Sequence, residues 1–275
     1  MSASILLEVC VDTAKGLEIA TTYGADRIEL CAGLSVGGLT PSTGMMQLAA
    51  QTDCPTRVMI RPHSGGFTYN DDELDIMLHD IDAVAAAGLE GVVFGANRPG
   101  GMLDENVLYR LTNHSRSSGL KTTLHRSFDL VPDYLQALAV AQDLRIDTIL
   151  TSGGQASALE GLPMIGRLVK AAHADPSRPA IEILAGGGID AANVHDFIRS
   201  DVFSIHASCS REDVPGSERA VTLGFASRRQ RETDPELVRA LRNALDRPFA
   251  AFADAPVARQ DHGQQDQRQQ DQRRR

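Results

Sequence analysis

The sequence contains no tryptophan, and aromatic residues make up only 4% of its 275 residues. It has no uninterrupted apolar run of about 18 residues, the length that a membrane-spanning helix needs. An excess of basic residues is also missing, since 36 acidic residues face 27 basic ones and the formal charge is −9. Because nucleic-acid-binding proteins normally present a basic face, the sequence predicts neither a membrane nor a nucleic-acid partner.

Cysteine is scarce as well. Four cysteines in 275 residues are too few for a disulfide framework, and no Cys-x-x-Cys pair is present. The first residues, Met-Ser-Ala-Ser-Ile-Leu-Leu-Glu, lack the basic start and the long apolar segment of a signal peptide. We therefore expect a cytoplasmic protein with reduced thiols, in which any special cysteine gains its partners through the fold.

Short apolar runs alternate with longer helical patterns along most of the chain. We predict strands at residues 6–11, 27–30, 57–61, 91–95, 122–126, 148–152, 182–185 and 204–207. Helices are predicted between them, including 158–174 and 191–200, and a last helix at 235–245. Eight strand–helix units in succession are typical of the (β/α)8 TIM barrel, an α/β fold. A doubly wound open sheet would need fewer strands, and its glycine fingerprint after the first strand is missing.

The C-terminal end has a different composition. Residues 256–275 include seven Gln and five Arg, and no apolar residue follows position 258. Such a segment cannot bury enough surface to offset the entropy lost on ordering. We predict a single barrel domain over residues 5–250 and a Gln/Arg-rich disordered tail over residues 251–275.

Polar residues recur at alternate positions of the predicted strands. Successive residues of a strand face opposite sides. The alternate positions that are apolar should face the helices, so the positions between them face the barrel interior. Glu8 and Cys10 then point inward from the first strand. The inward set of the second strand is Arg27, Glu29 and Cys31. Since barrels of this type normally fill their centres with Val, Ile and Leu, this interior is unusually polar.

The later strands add Arg61, Glu182 and two histidines to the polar set. We expect these side chains, with those of the first two strands, at or near the carboxyl ends of the strands, where barrel enzymes place their chemistry. Arg27 and Arg61 would bind an anionic ligand there. The candidate general acids or bases are His125, Glu182, Glu29 and His206. The alternative interpretation is a structural network of buried ion pairs.

Two of the cysteines share a parity on consecutive strands. Neighbouring strands lie about 4.8 Å apart, so the sulfurs of Cys10 and Cys31 could approach the distance of a shared ligand. Two thiolates suit Cu(I), or Zn(II) if a histidine joins them. The alternative is two buried thiols that act only as small apolar side chains. Cys54 precedes the third strand at the opposite face, and Cys209 follows the eighth strand.

Glycine-rich loops follow several strands. The run Gly186-Gly187-Gly188 follows the seventh strand, where barrels often bind phosphate through backbone N–H groups and a helix N-terminus. This position predicts that Gly186 and Gly187 contact a small anionic ligand. The alternative is that glycine serves only tight turns.

Ten stretches of the chain, taken together, resemble the CutC family. They are residues 7–10 (Leu-Glu-Val-Cys), 24–31 (Gly-Ala-Asp-Arg-Ile-Glu-Leu-Cys), 37–42 (Gly-Gly-Leu-Thr-Pro-Ser), 60–62 (Ile-Arg-Pro), 91–95 (Gly-Val-Val-Phe-Gly), 124–129 (Leu-His-Arg-Ser-Phe-Asp), 150–153 (Leu-Thr-Ser-Gly), 158–161 (Ala-Leu-Glu-Gly), 186–189 (Gly-Gly-Gly-Ile) and 205–208 (Ile-His-Ala-Ser). They follow the family order over roughly residues 5–210. One departure is Arg61-Pro62-His63, where many relatives have Arg-Pro-Arg.

The resemblance implies a (β/α)8 fold, a cytosolic location and a homo-oligomer, a dimer or a tetramer. It also implies a role in copper homeostasis, with Cu(I) bound by the cysteines at Cys10 and Cys31. The residue pattern alone supports a second hypothesis, a barrel enzyme of unknown reaction that acts on a small carboxylate or phosphate metabolite. The resemblance favours the copper protein, and whether the chain is an enzyme stays open.

Overall fold

The structure is a computed structural model that describes residues 5–213, 217–225, 227 and 230–246 of the 275-residue chain. The predicted tail at 251–275 lies outside the described residues, as does the end of the predicted barrel range at 247–250.

Eight parallel strands close into a barrel in chain order, each paired with the next and the eighth with the first. The strands are β1 (Leu6–Val11), β2 (Arg27–Leu30), β3 (Thr56–Met59), β4 (Gly91–Phe94), β5 (Lys121–Leu124), β6 (Thr148–Thr151), β7 (Glu182–Gly186) and β8 (Ser204–Ala207). All eight predicted strands are present, which confirms the TIM-barrel fold. The apolar parity of the strands packs against the surrounding helices in one large core.

Helices follow the strands in the order that the sequence predicts, with one short helix added before the last. They are α1 (Ala14–Tyr23), α2 (Thr43–Ala49), α3 (Asp71–Ala86), α4 (Glu105–Ser117), α5 (Tyr134–Asp143), α6 (Leu162–Ala172), α7 (Val194–Ile198), α8 (Glu218–Thr222) and α9 (Pro235–Leu245). Their starts have local causes: before α3, Asn70 Oδ1 accepts from Glu73 N at 2.9 Å while Glu73 Oε2 accepts from Asn70 N at 2.8 Å. In the part of the chain that the structure describes, no helix has both the length and the apolar character to cross a bilayer.

The helices predicted at residues 158–174 and 191–200 are each at least five residues shorter in the structure. α6 begins at Leu162 because the residues before it form a turn in which Gly161 lies against the Ser152 carbonyl, too close for a Cβ. α7 begins at Val194 because Asp190 Oδ1 accepts from Ala192 N at 2.9 Å and holds a separate turn ahead of the helix.

The stretch between β8 and α9 contains structure that the sequence did not predict. β9 (Ser210–Asp213) and β10 (Gln230–Thr233) form an antiparallel pair outside the barrel, with α8 between them. α9, which the sequence does predict, packs against α1, and Arg242 Nη1 lies 2.7 Å from Asp26 Oδ2. This last helix therefore covers the outside of the barrel next to β1 and β2.

Candidate functional site

An ion-pair network on β1, β2 and β7 occupies the amino half of the barrel interior. Arg27 Nε donates to Glu8 Oε2 at 2.5 Å, and Arg27 Nη1 lies 3.2 Å from Glu182 Oε2. Glu182 also accepts from Thr148 Oγ1 at 2.8 Å. Burial raises the pKa of Glu8, but the hydrogen bond from His206 and the charge of Arg27 outweigh it and leave that pKa at about 2. The buried charges therefore compensate one another.

Two predicted site residues lie at the amino end of the barrel, away from the mouth. Arg27 is the first residue of β2, and Glu182 is the first residue of β7. The expectation that they lie at or near the carboxyl ends of the strands is wrong for this pair. The parity of a strand residue gives the face that its side chain occupies but not its height along the barrel axis. In this structure both residues belong to a network of buried ion pairs, as the alternative interpretation of the sequence has it.

A group of potential metal ligands lies above this network, on β1, β2 and β8. One ligand atom each from Cys10, Glu29 and His206 lies within 4.8 Å of the other two. The strand register produces this group, because Cys10 pairs with Glu29 across β1–β2 and Glu8 pairs with His206 across β1–β8. A thiolate, an imidazole and a carboxylate are a donor set that binds transition metals.

A carboxylate beneath His206 orients its ring. Glu8 Oε1 lies 2.8 Å from His206 Nδ1, which leaves Nε2 on the side of Glu29, 3.9 Å from Glu29 Oε2. Metal-binding histidines are commonly held in this way, with one ring nitrogen donating to a carboxylate and the other directed at the metal. Burial alone would lower the pKa of His206, but the charges of Cys10 and Glu29 hold it well above its usual range.

Glu29 provides a direct test of whether a cation fits this group. It is only 3% exposed, and burial raises its pKa above the usual range. Its Oε1 atom has no hydrogen-bond partner among the described residues. A buried acceptor left in that state costs about 1–3 kcal/mol. A bound metal ion would give this oxygen a partner, so the residues present fit a cation.

Cys31 lies beside the group of three without belonging to it. Its Sγ donates to Glu29 Oε2 at 3.6 Å, and burial raises the pKa of the thiol well above its usual range. Cys31 packs with Met59 and Val93 in a small apolar cluster. A Cβ on Gly38 would lie 3.1 Å from Cys31 Sγ, so this glycine allows the loop after β2 to cover the sulfur. The pairing of Cys10 with Cys31 as metal ligands stays a prediction.

The other two cysteines are placed as the strand order implies. Cys54 precedes β3, where its Sγ donates to the Ala25 carbonyl at 3.6 Å and burial raises its pKa to about 11. Cys209 follows β8 with a φ of 43°, and burial raises its pKa to about 12, with a smaller contribution from Cys10. Cys54 is therefore distant from the mouth, whereas Cys209 lies near the metal-ligand group.

Arg61 and His125 lie on the other side of the mouth, at the ends of β3 and β5. Arg61 donates to the backbone carbonyls of the loops after β2 and β3, including Gly38 O at 3.1 Å and Gly65 O at 2.9 Å. His125 Nδ1 accepts from Ser127 N at 3.1 Å. Burial, with a smaller contribution from Arg61, lowers the pKa of His125 to about 3, so this ring is neutral at physiological pH. Both residues occupy the mouth, as the sequence predicts.

Gly186, the last residue of β7, and Gly187, which follows it, pack closely against residues of the site. A Cβ on Gly186 would lie 3.1 Å from the Cβ and Cδ2 atoms of His206. Gly187 has a φ of +123°, which side chains rarely adopt, and a Cβ there would lie 3.3 Å from the Ser152 Cβ. Close packing accounts for both glycines in this structure, and their contact with an anion stays a prediction.

The sequence allowed a histidine to join Cys10 as a ligand without deciding between His125 and His206. It did not indicate Glu29 as a partner of Cys10, nor Met59 as a neighbour of Cys31. The five residues that meet in the structure all face inward, so the alternation of side chains along each strand contained part of the signal. The missing information was the pairing register of β8 with β1 across the closed barrel, because these strands lie almost 200 residues apart. A search for inward-facing sulfur atoms would have found Met59.

Comparisons with known proteins agree with these observations. The model of the CutC family matches residues 5–211. A "family protein CutC" of Sinorhizobium medicae is 45% identical over 243 residues, which cover 88% of this chain and 96% of that protein. The human "Copper homeostasis protein cutC homolog" is 42% identical over 205 residues, covering 74% of this chain and 72% of that one.

Solved structures show the same fold. The crystal structure of a CutC protein from Streptococcus agalactiae has a TM-score of 0.68 and 30% sequence identity, covering 74% of this chain and 98% of that one. Thiamine phosphate pyrophosphorylase from Pyrococcus furiosus has a TM-score of 0.52 at 17% identity, a likeness of fold alone. The barrel is thus shared with proteins of different chemistry.

Proposed function

Since the chain belongs to the CutC family, we propose that it acts in copper homeostasis and binds copper at the mouth of the barrel. The name of the human relative supports the first part of this proposal. The second part rests on one observation, the convergence of Cys10, Glu29 and His206 with all three ligand atoms within 4.8 Å. Copper is then the cargo of the site, which the protein binds and releases.

The donor atoms favour copper for chemical reasons. The Cys10 thiolate is the soft ligand that selects Cu(I), and imidazole suits copper as well as zinc. Glu29 is the hardest of the three donors and the least suited to Cu(I). The second sulfur that the sequence predicts, Cys31, lies next to that carboxylate, 3.6 Å from Glu29 Oε2. We therefore propose Cys10 and His206 as the principal ligands, with Cys31 as the additional thiolate.

Measurement of Cu(I) affinity against a strong Cu(I) chelator tests this proposal. We expect Cys10→Ser to weaken binding about 100-fold or more, and His206→Gln about 10- to 100-fold. Cys54→Ser is the matched control, because this thiol lies before β3 at the amino end and should leave the affinity unchanged. Unchanged affinity in both Cys10→Ser and His206→Gln would contradict a copper site at this position.

Cys31→Ser decides how many sulfurs take part. A loss as large as that of Cys10→Ser supports the two-thiolate site. An affinity equal to that of the unmodified protein would exclude Cys31 and restrict the site to Cys10, Glu29 and His206. The number of sulfur atoms around bound copper, measured by X-ray absorption, provides an independent check.

We also propose that the protein is cytoplasmic, binds no nucleic acid and forms a homo-oligomer, a dimer or a tetramer. All four cysteines are free thiols, which supports a reducing compartment. The formal charge of −9 supports the absence of a nucleic-acid partner. Light scattering on the full chain tests the assembly, and a monomer at micromolar concentration would contradict it.

A further inference from the structure

Arg61 is a buried cation for which the described chain provides no carboxylate within ion-pair distance. Its residue exposure is 4%. Nη1 donates to Val36 O at 3.0 Å and to Gly38 O at 3.1 Å, and Nη2 donates to Gly65 O at 2.9 Å. These carbonyls accept hydrogen bonds but do not neutralise the charge, and Nε–H has no partner among the described residues. Buried arginines are normally paired with an anion.

His125 presents a second buried donor next to this cation. Because Nδ1 accepts from Ser127 N at 3.1 Å, the proton of the neutral ring is on Nε2. Nε2 is buried, and it too has no partner in the described part of the chain. The ring fits at this height only because β4 is followed by a glycine: a Cβ on Gly95 would lie 2.5 Å from His125 Nδ1. The end of β5 therefore holds a neutral N–H donor that nothing in the described chain accepts.

One aromatic ring covers both donors. The Phe67 ring centroid lies 4.9 Å from the guanidinium carbon of Arg61 and 4.8 Å from the centroid of the His125 ring. Phe67 follows Gly65 and Gly66. A Cβ added to either glycine would meet no atom within 4 Å. Two residues further on, the Tyr69 hydroxyl is buried and also without a partner among the described residues. Burial raises the pKa of this hydroxyl to about 12, so it is a donor at neutral pH.

We propose that Arg61, His125 and Tyr69 bind the carboxylate group of a small metabolite, with Phe67 as a cover that moves aside to admit it. This site, at the ends of β3 and β5, goes beyond the copper proposal and does not depend on it. The ligand completes the hydrogen bonds of three buried donors and neutralises one buried positive charge. Glu73, whose charge contributes to the raised pKa of Tyr69, does not fill this role, because His63 Nε2 lies 3.1 Å from its Oε1 and Asn70 N donates to its Oε2.

The charge balance selects a carboxylate over a phosphate. A carboxylate brings one negative charge and two oxygens, which match one guanidinium and three N–H or O–H donors. A phosphate dianion would bring two charges to a single cation. Arginine commonly binds phosphate through two parallel N–H groups of its guanidinium. In Arg61, Nη1 and Nη2 already donate to backbone carbonyls.

The test uses the full chain with 15N-labelled histidine, prepared metal-free and then dialysed to remove the chelator. Formate, acetate and pyruvate are titrated separately while the Nε2–H resonance of His125 is followed, and inorganic phosphate and sulfate are titrated in parallel. We expect a saturable shift of that resonance, in the millimolar range, with at least one carboxylate. The absence of a saturable shift with all three carboxylates would overturn the proposal, as would tighter binding of phosphate or sulfate.

Variants separate the proposed contacts from general effects. Arg61→Gln should weaken carboxylate binding at least tenfold, since it removes the only charge of the site. Because Arg61 also joins two loops, Tyr69→Phe is the milder variant and should weaken binding severalfold without affecting the fold. Ser64→Ala, at an exposed position of the same segment, is the matched control and should leave the affinity unchanged. If Tyr69→Phe and folded Arg61→Gln both bind carboxylates as tightly as the unmodified protein does, the proposal is overturned.

The same titration keeps the two proposals distinguishable. Cys10→Ser should retain full carboxylate binding while it loses copper, because Cys10 lies on β1 and the donors lie beyond β3 and β5. Loss of carboxylate binding in Cys10→Ser would overturn the separate site. Carboxylate binding to a chain that binds no copper would support this site and contradict only the copper proposal.

Discussion

The buried neutral state of His125 makes the stability of the protein depend on pH in a predictable direction. Burial and Arg61 lower the pKa of this residue from 6.5 to about 3 in the folded chain. A histidine with a lowered pKa stabilises the fold fully above its unfolded pKa, and the contribution is lost as the pH falls. Between the two pKa values the unfolded chain binds a proton that the folded chain cannot accept. We therefore expect acid to destabilise the protein through His125, starting near pH 6.5.

The size of the effect follows from the shift itself. Each pH unit between the unfolded and folded pKa values costs about 1.4 kcal/mol. Lowering the pH from neutrality to about 5 crosses roughly 1.5 units of that range and should cost about 2 kcal/mol. The variant His125→Asn places an amide oxygen where Nδ1 accepts from Ser127 N, and it has no proton to gain. It should be less stable than the unmodified protein at neutral pH, because the ring contact with Phe67 is lost, but it should lack this acid-dependent loss.

Urea unfolding followed by far-UV circular dichroism measures the difference, because the chain has no tryptophan for fluorescence. The buffers should contain no carboxylate, since the proposed ligand would stabilise the folded state. His79→Asn is the control, because it makes the same substitution at an exposed position. If His125→Asn retains the full acid-dependent loss of about 2 kcal/mol, the neutral buried state of His125 is refuted.

Two glycine substitutions test the packing around the metal-ligand group. Gly186→Ala would place a Cβ 3.1 Å from the His206 ring and 2.6 Å from Leu150 Cδ1, so Cu(I) affinity should fall about tenfold, as for other changes that reorient a ligand. Gly38→Ala, at a φ of +84° and 3.1 Å from Cys31 Sγ, should speed the reaction of Cys31 with a thiol reagent by displacing its cover. Unchanged Cu(I) affinity in Gly186→Ala, or unchanged thiol reactivity in Gly38→Ala, would contradict these roles. The controls are Gly166→Ala and Gly44→Ala, whose Cβ atoms would meet nothing within 3.4 Å.

The polar interior separates into parts with different energetic roles. The amino half holds charges that compensate one another, with Arg27 between the carboxylates of Glu8 and Glu182. The mouth instead holds groups that lack partners among the described residues, namely Glu29 Oε1 on one side and Arg61 Nε on the other. Paired charges in a barrel centre stabilise a single arrangement, whereas buried atoms without partners cost free energy unless a ligand satisfies them. This contrast supports the two ligand sites that we propose at the mouth.

Local pattern in the sequence was sufficient for the fold and for the face on which each strand residue lies. The eight strands follow from apolar runs separated by helical patterns, and their closure follows from the number of strands. The inward orientation of Cys10, Cys31 and His206 follows from the alternation of side chains along a strand. Both kinds of inference depend only on residues that are close in the chain.

Tertiary structure decided which inward residues meet. Height along the barrel axis placed Arg27 and Glu182 at the amino end, where they bind each other, although the sequence predicted them at the mouth. The register between β8 and β1 brought His206 to Glu8, and so to Cys10 and Glu29. Alternation has a period of two residues and determines only the face of a side chain, whereas register and stagger are set when the whole barrel closes. The sequence therefore determined the fold and its polar interior, and barrel closure determined the site.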